Sequence, residues 1–147
     1  MTADTKQLSW RTVATIAGRL IFASVFIMAV SFKLVDISGT ANYIASAGFP
    51  LPLLLAWLAA LLELALIGSF LTGAYFSEAA LAAAAYVLFL AFAFHGPSHW
   101  AGNQAEFGFF VDHFTFIAGL LFAAVHGPGR LFAMQPRWRV RPQQTPQ

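Results

Sequence analysis

The chain has 147 residues, 59% of them apolar, 16% aromatic and only 10% charged. A soluble domain carries about 25% charged residues, and a disordered chain is polar and poor in aromatics, so both classes are excluded. Sixteen Phe, four Trp and no Cys indicate one domain in an apolar solvent, without disulfides, thiolate metal sites or thiol redox chemistry.

Four stretches approach the roughly 20 apolar residues that a transmembrane helix needs. The first covers residues 13–35, with Arg19 near its start and Lys33 near its end. It is expected to stay on the chain, because the Ala45-Ser46-Ala47 triplet that mimics a cleavage site lies well past its apolar core. Arg19 and Lys33 are nearly four turns apart, within about 40° of each other around the helix, and Phe22, Phe26 and Val30 continue their stripe. Both cations are expected to snorkel to their interfaces, with Lys33 and Asp36 able to pair at i and i+3. The alternative turns Lys33 inward toward Glu63, through water, because the two differ in depth.

From Ser38 to Gly48 the connection is mildly amphipathic, which predicts a short interfacial helix before Phe49-Pro50-Leu51-Pro52. The second span, 53–71, holds one charge, Glu63, at mid-depth and roughly 15 Å from either end. Ala56, Ala59, Ala60 and Ile67 flank it, so a neighbouring helix can approach closely. A carboxyl there must be protonated or paired. It serves either as a proton-binding or ligand-orienting group or as interhelical glue.

After the uncharged turn Thr72–Tyr75, the third span covers 76–95, with an Ala-rich middle and His95 before the helix-stopping Gly96-Pro97. The fourth covers 107–126 and carries Asp112 and His113 in its first third. Asp112 shares a face with Phe116, Gly119 and Ala123, while His113 points about 100° away. His95, His99, Glu106, Asp112 and His113 can gather at one rim, with Trp100 and Phe107–Phe110 in an aromatic belt. The donor types of His95, His99 and His113 suit a transition metal, but no H-x-x-H or H-E-x-x-H spacing supports one. A hydrogen-bonded rim, or a head-group site for a quinone-like amphiphile, fits better. His126 and Gly127-Pro128-Gly129-Arg130 read as a helix stop.

Residues 1–132 therefore form a single four-span membrane domain, all-α, and 133–147 a basic, Pro/Gln-rich tail. Lys6, Arg11 and the arginines after His126 place both termini in the cytoplasm by the positive-inside rule, with contact to anionic lipid rather than nucleic acid.

Several elements resemble the DoxX family of small bacterial membrane proteins: Gly18-Arg19-Leu20, Ser31-Phe32-Lys33-Leu34, the run Tyr43–Pro50, Glu63 at mid-span, Phe94-His95, Ala118-Gly119-Leu120-Leu121, and Gly127-Pro128-Gly129-Arg130-Leu131. They extend over roughly residues 15 to 132. The resemblance implies a four-helix bundle in the bacterial inner membrane with cytoplasmic termini. It also implies a place beside membrane redox or stress-response complexes, since the family takes its name from a subunit of a thiosulfate–quinone oxidoreductase. Where the family often has Lys-Asn early in the fourth helix, Asp112 and His113 stand here, so an anion site there does not carry over. Three functions remain open: a redox-assembly subunit with a quinone site built from Glu63, His95, Asp112 and His113, Lys33 being a further ligand- or proton-binding candidate; a proton-coupled carrier using Glu63; and a non-catalytic subunit, associated with other subunits or with copies of itself.

Overall fold

The computed structural model describes residues 9–134. Lys6 and most of the basic tail, including Arg137, Arg139 and Arg141, lie outside that range. Five α-helices follow one another: α1 Trp10–Val35, α2 Ile37–Ser46, α3 Pro52–Thr72, α4 Phe76–His95 and α5 Gln104–His126, with a short 3-10 turn at Pro97–His99. α1, α3, α4 and α5 are each long and apolar enough to cross a membrane, and α2 is the expected short helix between the first two spans. The expected spans agree with the helices to within three residues.

Local chemistry sets the helix ends. The Ser9 hydroxyl accepts from the Arg11 N–H and caps α1. Asp36 serves two helices at once. Its N–H donates to the Phe32 carbonyl at the end of α1, and its carboxylate accepts from Gly39 N at 2.8 Å at the start of α2. A Cβ at Gly39 would collide with that carboxylate, so the cap and the glycine belong together. Asp36 is thereby committed to capping, and Lys33, which could have paired with it, pairs with Glu63 instead. Pro52 opens α3 at a position where its missing N–H costs nothing. Gly73, at φ +74°, ends α3 with its N–H on Ser69 O.

α1 pairs mainly with α3 and α4 with α5, while α2 lies against α3. The helices alternate in direction, so α1 begins and α5 finishes at one end of the bundle, here called the terminal end. α2 and the 97–103 turn mark the opposite, α2 end. In the terminal half the core is closed by aromatic rings: Phe22 lies 5.6 Å from Phe70 and 5.4 Å from Phe116, and Phe26 lies 5.9 Å from Phe70. Ala79, Ala80, Ala83, Ala84 and Ala91 form the buried face of α4, small enough to let neighbouring backbones approach. A second, smaller core seats Ala41 and Ile44 of α2 on Ala56 of α3. The outward faces remain apolar, as at Leu61, Phe122 and Val125, which lipid accommodates and water does not.

Candidate ligand-binding site

Glu63 is only 1% exposed, on the α3 face that also buries Ala56, Ala60, Leu66 and Phe70. Its Oε1 receives two donors: Lys33 Nζ at 2.9 Å and the Tyr86 hydroxyl at 2.9 Å. Its Oε2 is buried and has no hydrogen-bond partner among the described residues. The direct Lys33–Glu63 pair corrects the expectation of a snorkelling or water-linked lysine. Helical side chains lean toward their own N-terminus. α1 and α3 are antiparallel, so Lys33 leans down from the α2 end while Glu63 leans up toward it. Lys33 Nζ also lies 3.4 Å from Ala29 O, one turn back, which records that lean.

Tyr86 was not among the residues singled out from the sequence. It could have been found: a phenol in the middle of an otherwise apolar span must give its O–H a partner, and Glu63 sits at mid-span on α3.

At the α2 end, His95 Nδ1 lies 2.6 Å from Glu106 Oε2, and the His95 and His113 rings are 5.1 Å apart. His113 Nδ1 lies 2.6 Å from Phe109 O; since a carbonyl only accepts, Nδ1 carries the proton and Nε2 is left as the open nitrogen. Trp100 donates to His95 O at 2.8 Å and packs edge-on against Phe107 and Phe110. Two members of the expected rim stand apart. His99 is exposed and interacts with Ser98, and Asp112 is exposed on α5. The reason is the inward stripe of α5, centred on the fully buried Leu120. Two turns back this stripe reaches His113, and Asp112 falls one residue off it. Among the described residues no three His, Asp or Glu side chains are grouped as a metal site requires.

Between these two polar clusters lies a cavity of about 710 Å³. All five helices contribute to it: Ala29, Phe32 and Lys33 from α1; Thr40, Tyr43 and Ile44 from α2; Leu55, Leu58, Ala59 and Leu62 from α3; Tyr86, Phe89, Phe94 and His95 from α4; and His113 from α5. Phe49, between α2 and α3, packs edge-on against Phe89, and Tyr43 stacks on Phe94 at 4.9 Å. The Tyr43 phenol is held above its ordinary range by burial first and by the nearby Glu106 charge second. Apolar walls with a few convergent polar groups are the usual make-up of a small-molecule site.

The family model for DoxX matches residues 14–96, more than half of the chain. The chain belongs to the DoxX family. No curated protein and no solved structure matches it significantly. The DoxX match takes in Arg19, Lys33, Glu63, Tyr86 and His95 and ends with α4, short of the 15–132 extent of the resemblance. Glu106, Asp112 and His113 are therefore features of this chain beyond the matched part.

In this DoxX chain Arg19 is buried, 4% exposed, rather than snorkelling. Its guanidinium donates to five carbonyls: Phe70 at 2.9 Å and Leu71 at 2.6 Å at the end of α3, then Pro128 at 3.3 Å, Leu131 at 3.0 Å and Phe132 at 2.8 Å after α5. Every N–H of the fork has an acceptor, and the negative pole of the α3 dipole faces the charge. Met134 N donates to Thr72 O at 2.8 Å, and a Cβ at Gly73 would meet Ala133 Cα at 2.9 Å. Arg19 thus binds the segment after α5 across the α3–α4 turn and closes the terminal end. The sequence motifs around Arg19 and Pro128–Leu131 are two halves of one clamp.

Proposed function

We propose that this DoxX protein is an accessory subunit of a membrane redox assembly, in a bacterial inner membrane with both termini cytoplasmic, and that it holds a quinone or other lipid-like amphiphile in the half of the bundle near α2. The observation that carries this reading is the cavity of about 710 Å³ with aromatic and aliphatic walls and Lys33 and Tyr86 among its lining, both fastened to the buried Glu63. A head group meets hydrogen-bonding side chains there, while rings such as Phe32, Phe89 and Phe94 pack its apolar body. The positively charged Arg11 and Arg130 near the terminal end support the orientation.

The carrier reading asks Glu63 to load and release a proton across the bundle. The ring cluster around Phe70 and the Arg19 clamp fill the path from Glu63 to the terminal end, which favours binding over transport. Purification from the native membrane in mild detergent, followed by solvent extraction and mass spectrometry, tests the proposal. The expected result is a stoichiometric amphiphile together with oxidoreductase subunits, with amphiphile content lowered severalfold by Tyr86→Phe combined with His113→Ala. Proton flux in liposomes that is abolished by Glu63→Gln would instead support the carrier.

A further inference from the structure

The charges around the cavity are arranged in closed pairs, and that arrangement selects a ligand class. Lys33 is the cation lining the cavity, and its charge is compensated at 2.9 Å by Glu63. Glu63 is itself 99% buried behind the lining and takes a second donor from Tyr86. At the rim, any charge that His95 takes is met at 2.6 Å by Glu106. An anionic head group would therefore have to leave water for a site where the charges of Lys33 and His95 are already met by carboxylates.

What the pairs leave open are neutral hydrogen-bonding valences. An ammonium has three N–H donors, and Lys33 spends its contacts on Glu63 and Ala29, leaving one donor for an oxygen in the cavity. The Tyr86 oxygen, having donated its proton, can still accept. In its neutral form His113 offers Nε2 as an acceptor at the rim, because the contact of Nδ1 with Phe109 O places the single proton on Nδ1.

Resting on the amphiphile site proposed above, we infer that this site selects an uncharged head group bearing a hydroxyl or carbonyl oxygen, and discriminates against carboxylate, sulfonate and phosphate heads on the same apolar body. Glu63 is the residue that sets this preference, acting through Lys33 rather than by touching the ligand. Replacing it by Gln keeps a hydrogen-bonding side chain but releases the Lys33 charge into the cavity, which turns a neutral-head site into an anion site.

The test is equilibrium dialysis of the full-length protein in lipid nanodiscs, with empty nanodiscs subtracted, against three probes that share one body: 4-hexylphenol, 4-hexylbenzenesulfonate and hexylbenzene. The wild type is expected to bind 4-hexylphenol saturably at one site, at least tenfold more tightly than the sulfonate and more tightly than hexylbenzene. Glu63→Gln is expected to reverse the order of phenol and sulfonate. The double variant Lys33→Met/Glu63→Gln, neutral again, is expected to restore the phenol preference, which separates a charge effect from a damaged fold. Equal or tighter sulfonate binding by the wild type, or an unchanged order in Glu63→Gln, overturns the inference while leaving an amphiphile site standing. Absence of saturable binding by all three probes overturns both.

Discussion

Two cations in one helix have different fates, and both depend on where a long side chain finds acceptors. Lys33 ends on a carboxylate, Arg19 on five carbonyls. Removing Lys33 strands a buried charge, so Lys33→Met is expected to cost about 3 kcal/mol of stability, read by reversible unfolding in detergent. Adding Glu63→Gln should recover most of that loss. Arg19→Lys keeps the charge but not the fork that reaches two segments, and a loss on the order of 3 kcal/mol is expected, since several buried carbonyls lose charged donors together. That Glu63 and Lys33 need partners was legible in the sequence, because ionisable residues in apolar spans are conspicuous. Their direct contact was not, because judging depth from residue counts along two helices ignores the opposite lean of their side chains. The burial of Arg19 was hidden for another reason: its acceptors are backbone carbonyls, which carry no sequence signature.

At the scale of elements, the helices were readable from hydropathy, and Asp36, Pro52, Gly73 and Gly96 mark their limits. Which face of α5 turns inward was harder to read. Phe116, Gly119 and Ala123 do pack inward, against Phe22 and the core around Leu120, yet Asp112 at the head of that face is exposed and His113 lines the cavity instead. The alanines of α4 show how close packing is encoded. Ala83 is fully buried while its neighbour Ala82 is exposed. Ala83→Leu should overpack the bundle and destabilise it by about 1–3 kcal/mol, whereas Ala82→Leu should stay within roughly 0.5 kcal/mol. Thermal unfolding of the two variants side by side checks this, and equal effects would mean that α4 is rotated from the position described.

Over the whole molecule, the bundle is closed at one end and open-cored at the other. Phenylalanine rings and the Arg19 clamp consolidate the terminal half, while α2, laid against α3, roofs a cavity whose charges are already paired. Because the chain has no Cys, orientation can be read with single introduced thiols. Ser98→Cys should react with an impermeant maleimide in intact cells, and Thr5→Cys only after the inner face is exposed; the reverse pattern would invert the proposed topology. The cavity itself could not be read from the sequence, since it is assembled from five helices at positions that are individually unremarkable apolar residues. Native mass spectrometry of the protein released from its own membrane tests whether the cavity is a binding site. The wild type is expected to carry one uncharged amphiphile per chain, and Ala59→Phe, which fills the cavity from α3, is expected to have lost it. A wild-type chain without bound amphiphile, or an Ala59→Phe chain that retains it in full, would mean that the cavity is not the binding site.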